Sequence, residues 1–287
     1  MKLKKGFTLI ELLVVISIIA LLLSILMPAL SKVRQQARIA VCTSNVRQWA
    51  LACTAYAAEH DGYYPGRVGN IRDFKYDYSW PWQYYKAKGE DLIYVDLLSS
   101  FFKPYLGDSS DFIFCPDIPE NAPWHDVGGE SIVGKSWEEI EELIMTGSDH
   151  YLDGDYALYV GYGQNDKQLL QVTGNNVRWG GTIPVPPDME REDRSLTSPS
   201  PSPVKMSNAT PGTAIVGDRA AYAGSGATGI FRYSHPYREG VPEEPKGMCA
   251  SFVNGSAGWV EFENWAAFMQ YRGGTTWYWP KPDVKTK

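Results

Sequence analysis

The most apolar stretch of the chain lies at its start. From Phe7 to Leu30 it reads FTLIELLVVISIIALLLSILMPAL, 24 residues whose single charge is Glu11. A helix of that length is about 36 Å long, enough to cross a hydrocarbon layer of about 30 Å. The apolar character then narrows to a stripe. Ile39, Cys42, Val46, Trp49, Cys53 and Tyr56 recur at steps of three or four, while Gln36, Thr43, Arg47, Gln48, Thr54 and Glu59 fall largely off that line. Such a period marks one buried face of a helix. The next breaker is Gly62, in HDGYYP, a good C-terminal stop. The pattern predicts one helix from Phe7 to His60, about 80 Å long and bent at Pro28.

Beyond Pro65 the chain turns aromatic and turn-rich. Asp91–Tyr105 has a helical pattern closed by Gly107, and Ser136-Trp137-Glu138-Glu139 is a capping box that opens a short helix to about Met145. Strands are expected at Phe112–Cys115, Tyr156–Tyr162 and Thr213–Gly217. A hairpin is expected from Cys249–Val253 and Trp259–Phe262, with Asn254-Gly255 in a turn longer than two residues. The Pro- and Ser-rich stretch from Pro184 to Pro203 reads as an exposed loop, and the tail WYWPKPDVKTK as a loosely held strand or extended segment.

Composition narrows the classes. The 287 residues carry 27 Lys+Arg against 33 Asp+Glu, a net −6, with 44% hydrophobic residues, so the chain can bury a core. An acidic balance with no basic run beyond the first five residues excludes nucleic acid as the main partner. Four Cys and four His show neither C-x-x-C nor H-E-x-x-H spacing.

Three readings of the N-terminus compete: a signal peptide cut after Ala29-Leu30-Ser31, a plain anchor, and a specialised leader with a span. The apolar run exceeds the usual 7–15 residues of a signal peptide and carries a carboxylate. Lys2, Lys4 and Lys5 before the span and Lys32, Arg34, Arg38 and Arg47 after it leave orientation near a tie. A carboxylate at the centre of a membrane helix costs about 2.5–3.5 kcal/mol. Glu11 therefore either reaches water near the interface or meets a cation. Cleavage after Gly6 would supply one, the Phe7 amine of a neighbouring copy.

Lys5-Gly6-Phe7-Thr8-Leu9-Ile10-Glu11 before a long apolar helix resembles the class III leader of type IV pilins and type II secretion pseudopilins. The resemblance implies cleavage after Gly6 by a prepilin peptidase, N-methylation of Phe7, and a Glu11 that guides subunits into a filament. Pro28 matches the family's helix-bending Pro. It implies further partners, namely other pilin or pseudopilin subunits and an inner-membrane assembly platform. A second resemblance runs from Ala37 to Pro65, to the C-x-x-N-[LV]-[RK]-Q … Y-x-x-[DE]-x-x-G-x-[YF]-P pattern of bacterial pseudopilin-like proteins, on Cys42, Asn45, Arg47, Gln48, Tyr56, Gly62 and Pro65. Looser matches are Phe114-Cys115-Pro116, Gly161-Tyr162-Gly163-Gln164-Asn165, Ile215-Val216-Gly217-Asp218, and His235 before Phe252-Val253-Asn254-Gly255-Ser256. There the related proteins usually carry D-G-H, from which Asn254 and Ser256 depart.

Catalytic chemistry is sparse. No G-x-S-x-G or phosphate-binding loop occurs, and Gly224-Ser225-Gly226 reads as a flexible turn. Asp149, Asp153 and Asp155 are calcium candidates, weighed against an ordinary solvated acidic turn; no other cofactor is implied. His125 reads as a surface residue. The aromatic clusters Trp80–Tyr85 and Trp277–Trp279 are either core or sugar-stacking platforms. Cys42 and Cys53 lie about 16 Å apart along one helix, beyond disulfide reach. Cys115 is a better partner for Cys42, against the alternative of four buried thiols.

The expectation is an α+β, pilin-like protein: leader 1–6, membrane or filament-core helix 7–30, soluble helix 31–61, and a head over 62–287 built on a mainly antiparallel sheet. It would be a non-catalytic subunit of a type II secretion pseudopilus or type IV pilus-like filament, in the bacterial inner membrane with its head in the periplasm. A glycan-binding protein using the same leader is the alternative, and a secreted hydrolase the third reading.

Overall fold

The computed structural model describes residues 9–65, 83–85, 101–146, 151–159, 177–179, 205–223, 230–235, 238–241, 245–271, 276–281 and 286. The expected long helix is present as α1, Leu9–Glu59. It ends as its sequence dictates: Gly62 takes a left-handed conformation (φ +81°) and its N–H bonds back to the Ala57 carbonyl at 2.8 Å. The polar-interrupted stripe is the buried face. Cys42, Val46, Trp49, Cys53 and Tyr56 lie in the core, with Ile39 packed at its edge.

That face rests on a four-stranded antiparallel sheet of β5 (Tyr156–Leu158), β7 (Ala214–Asp218), β11 (Gly247–Phe252) and β12 (Ala257–Glu261), ordered β12-β11-β7-β5. The central strands β7 and β11 are buried along their whole length, whereas edge strand β12 alternates. The predicted hairpin is β11–β12, paired Ser251 to Ala257, with Gly255 at φ +82° in its turn. Gly247 is required at its start, because a Cβ there would run into the Val260 carbonyl and the Trp259 ring.

A second, six-stranded antiparallel sheet has the order β10-β9-β8-β14-β13-β6. Its strands are β6 (Val177–Trp179), β8 (Ala220–Ala223), β9 (Ile230–Tyr233), β10 (Arg238–Val241), β13 (Trp265–Tyr271) and β14 (Thr276–Pro280). The strand expected in the tail is present over residues 277–280 as part of β14, paired on both sides with β8 and β13 and so not loosely held. The hydroxyl of Tyr159, just after β5, donates to the Tyr278 carbonyl of β14 at 3.1 Å and ties the two sheets together.

Smaller elements close the α1 side of the head. They are the ribbons β1 (Gln83–Tyr85) with β4 (Tyr151–Asp153) and β2 (Asp126–Val127) with β3 (Glu130–Ser131), and the helices α2 (Lys103–Leu106) and α3 (Trp137–Thr146). The capping box operates on α3: Ser136 N–H donates to Glu139 Oε2 at 2.7 Å, and Glu139 N–H to Ser136 Oγ at 3.3 Å. Only the end of the helix expected at Asp91–Tyr105 is described, and Gly107 follows it at φ +81°.

Phe112–Cys115 is not a strand. Asp111–Ile113 form a 3-10 turn, with Phe114 extended after it. Its carbonyls go to single partners instead of a ladder: the Phe112 carbonyl to the Trp49 indole at 2.9 Å, and the Ile113 carbonyl to Asp155 N–H at 2.9 Å. The Pro184–Pro203 loop, Gly161–Asn165 and Gly224–Gly226 lie outside the described residues.

Candidate functional site: the exposed helix and a buried thiol–histidine cluster

α1 carries two environments on one rod. Every residue from Leu9 to Arg34 is exposed, large apolar side chains included, whereas from Cys42 onward its inner face is core. An apolar surface of that extent on a protein marks a membrane or partner contact. Polar groups within it are self-contained: Ser17 Oγ donates to the Leu13 carbonyl at 2.8 Å and Ser24 Oγ to the Leu21 carbonyl at 2.7 Å. Glu11 lies on the exposed surface of the first described turns, and Pro28 lies inside the helix. Gly6 and Phe7 fall outside the described residues.

The second site lies where the soluble half of α1 meets the sheet. Cys42 of α1, Cys115 after the 3-10 turn, Asp218 ending β7, His235 just beyond β9 and Cys249 of β11 are all buried. Cys42 Sγ donates to Cys115 Sγ at 3.1 Å, so the expected partners do meet, as two thiols. Cys115 Sγ is 3.5 Å from His235 Nε2, which is 3.3 Å from Asp218 Oδ2. The other ring nitrogen, Nδ1, faces Asp117 Oδ2 at 2.8 Å, and Arg38 of α1 pairs with Asp117 Oδ1 at 2.8 Å.

Cys249 is held differently. Its N–H donates to Asp218 Oδ2 at 2.6 Å and its Sγ to the Ile39 carbonyl at 3.6 Å. Two overlapping triads result, Cys42–Cys115–His235 and Asp218–His235–Cys249, each with ligand atoms within 4.8 Å of one another. These are the residues able to hold a metal ion.

Electrostatics follow from burial and neighbours. Burial pushes the Cys42 thiol up and Asp218 up to about 6. Burial works against ionised Cys115 too, but hydrogen bonds from Cys42 and His235 outweigh it and hold that thiol below its ordinary value. Burial likewise opposes the charged imidazole, yet the Asp218 and Asp117 carboxylates hold His235 above its usual value.

Asp155 of the acidic run does not sit in a solvated turn. Asp155 is fully buried, and its carboxylate accepts from Cys115 N–H at 2.8 Å, Trp124 Nε1 at 2.9 Å and His125 Nε2 at 2.9 Å. His125, expected at the surface, is buried against Phe114. Its ring faces inward because Asp155 waits there as acceptor. Asp153 instead lies 3.9 Å from Arg219, and Asp149 falls outside the described residues. Asp155 is therefore an internal clamp on the Phe114-Cys115-Pro116 loop, its oxygens taken by protein donors and not turned toward a cation.

Sequence reasoning paired two of the converging side chains and left Asp218, His235 and Cys249 unassigned. Asp218 and His235 stood only in the looser motif matches, and no local spacing joins residues this far apart in sequence. The departure at Asn254 serves the hairpin turn: Asn254 Oδ1 accepts from Ser256 N–H at 2.9 Å and Ser256 Oγ at 2.7 Å. The Trp80–Pro81–Trp82 part of the first aromatic cluster lies outside the described residues.

Residues 1–27, which hold Gly6, Phe7 and Glu11, match the family model of the prokaryotic N-terminal methylation motif. A ComG operon protein 3 homolog of Bacillus licheniformis is 41% identical over 65 residues, covering 23% of this chain and 67% of that protein. No solved structure matches the chain.

Proposed function

We propose a filament-subunit role from one premise: the chain belongs to the pilin-like family that carries a prepilin-type N-terminal methylation motif. Members of that family are structural, and the leader engages a prepilin peptidase and other pilin-type subunits. The N-terminal helix fits membrane anchoring.

In the proposed pathway the precursor is cut after Gly6 and Phe7 is methylated. The helix over 7–30, bent at Pro28, first spans the inner membrane and then enters the core of a type II secretion pseudopilus or pilus-like filament. Residues 31–61 carry the head, 62–287, on the periplasmic side. The assembly platform would extract the subunit from the bilayer. The observation that carries this reading is the single helix α1, exposed and apolar from Leu9 to Leu30 yet core from Cys42 on. A helix so built joins two solvents, and a filament core replaces the lipid without leaving that surface in water.

Glu11 sets the register. Its carboxylate would meet the Phe7 ammonium of a neighbour, and methylation keeps that charge because a secondary amine remains protonated. Glu11→Leu removes an intramembrane charge, so insertion and cleavage are expected to proceed as in the wild type. Assembly leaves each Phe7 cation unpaired in a low dielectric and is expected to fail. Cross-linking of native membranes, with partner subunits present, reads the difference as loss of the multimer ladder. Equal ladders from both proteins would reduce the chain to an anchored head. Mass spectrometry of the mature N-terminus checks the cut and the methyl group independently.

A further inference from the structure

We infer that the cluster between α1 and the head is a structural site for one thiophilic divalent cation of the zinc type, held by Cys42 Sγ, Cys115 Sγ, His235 Nε2 and the Asp218 carboxylate. The donor set is the kind zinc selects, thiolate and imidazole with one hard oxygen. All four side chains are buried and come from four separate parts of the chain. Bonds of about 2.3 Å to sulfur and about 2.0 Å to nitrogen and oxygen, arranged tetrahedrally, place sulfur about 3.5 Å from nitrogen and nitrogen about 3.3 Å from oxygen. Cys115 Sγ and His235 Nε2 are 3.5 Å apart, and His235 Nε2 and Asp218 Oδ2 are 3.3 Å apart. The two sulfurs, at 3.1 Å, must open by roughly 0.7 Å to reach a tetrahedral edge, and the Asp218 carboxylate, which lies in the triad of His235 and Cys249, must close on them.

The surroundings are those of a metal histidine. Such a ligand donates its second ring N–H to a carboxylate, which fixes the tautomer and aims the free nitrogen. Asp117 occupies that position on Nδ1, itself held by Arg38, and Nε2 is left facing the two cysteines and Asp218. A second observation points the same way. Asp218 Oδ1 is buried with no hydrogen-bond partner among the described residues, an uncommon state for a carboxylate oxygen in a core. Cys249 stays outside the proposed set: its Sγ is grouped with Asp218 and His235 and not with both other sulfurs, and it contacts the Ile39 carbonyl at 3.6 Å and the Thr43 hydroxyl at 3.5 Å.

Binding is proton-balanced. The Cys42 and Cys115 thiols and the His235 imidazolium each release one proton to solvent as the cation binds, so that His235 ligates as the neutral imidazole and Asp218 as the carboxylate. No electron moves. A groove of about 570 Å³, lined by Asn45, Phe114, Cys115 and Pro116 among others, lies on the Cys115 side of the cluster. The cation would clamp α1 to the head through Cys42, and its binding energy would count as folding energy of that junction.

The test uses the full-length chain in mild detergent, purified with a thiol reductant and without chelator. Elemental analysis is expected to find about one zinc per chain. Cobalt exchanged into the site is expected to give thiolate-to-cobalt charge-transfer absorption and the visible bands of tetrahedral cobalt. Cys115→Ser and His235→Ala are expected to lose the metal, whereas Cys53→Ser keeps it. Should the ligand variants fail to fold, Asp117→Asn is the second readout: the ligands stay, and affinity is expected to fall about 10–100-fold. A folded, reduced chain that takes up neither zinc nor cobalt would overturn the site. So would native protein that is metal-free, with Cys42 and Cys115 joined in one disulfide-linked peptide.

Discussion

The indole N–H of Trp49, on the helix that carries the exposed apolar surface, donates a 2.9 Å hydrogen bond to the Phe112 carbonyl in the 3-10 turn of the head. The same ring packs edge-on against Phe102 at 5.2 Å, and Phe102 stacks on Trp137 of α3 at 5.0 Å. One side chain thus unites α1, the turn that carries Cys115 and the α3 side of the head. Trp49→Phe keeps most of the packing but strands the carbonyl, for an expected loss of about 1–3 kcal/mol. Trp49→Ala adds a cavity and is expected to cost about 3–5 kcal/mol. Denaturant unfolding in detergent, followed at the head's tryptophans, measures both, and an unchanged stability in Trp49→Phe would deny the hydrogen bond any share.

Asp155 makes a separable prediction. Asp155→Asn offers one oxygen and one N–H₂ to three donors, so at least one donor is left facing another. The expected cost is about 3 kcal/mol. Amide exchange should quicken over Ile113–Cys115 while the β11–β12 hairpin keeps its protection. A uniform change across both regions would mean that Asp155 supports the whole head and not that loop.

The capping box of α3 gives a pH dependence of known sign. The Ser136 backbone N–H and hydroxyl hold the Glu139 carboxyl below its ordinary value of 4.5. A depressed folded value means that this contribution is fully present above about pH 4.5 and fades as the pH falls through the folded value. Glu139→Gln is expected to flatten that part of the acid limb. Ser136→Ala, which removes the cap, is expected to cost about 1 kcal/mol at neutral pH. Unfolding curves of both variants between about pH 6 and about pH 3 check the sign, and a wild-type-like acid slope in Glu139→Gln would contradict it.

What could be read in advance was local. The stripe from Ile39 to Tyr56 was legible because each member is one helical turn from the next, and the β11–β12 hairpin because Asn254-Gly255 marks its turn. The capping box was legible in four consecutive residues. His125 and Asp155 were misread because a Pro- and Gly-rich stretch has no period, and the burial of each is decided by the other, 30 residues away. Phe112–Cys115 has strand-like composition, but Trp49 and Asp155 take its backbone groups singly. Pairing of β14 depends on β8 and β13 on either side, partners that nothing in WYWP announces.

The continuity of α1 also sets an angle. With no break recorded between the exposed Leu9–Leu30 surface and the buried Cys42–Tyr56 face, the azimuth of one dictates the azimuth of the other. Deleting one residue between them, Gln35 for instance, would turn the head by about 100° and draw it in by about 1.5 Å. Inserting seven residues would return the facing to within about 20° while lifting the head by roughly 10 Å. In the proposed helical assembly every copy would inherit the same rotation, so the outward face of such a filament would be written in the count of residues between Leu30 and Cys42.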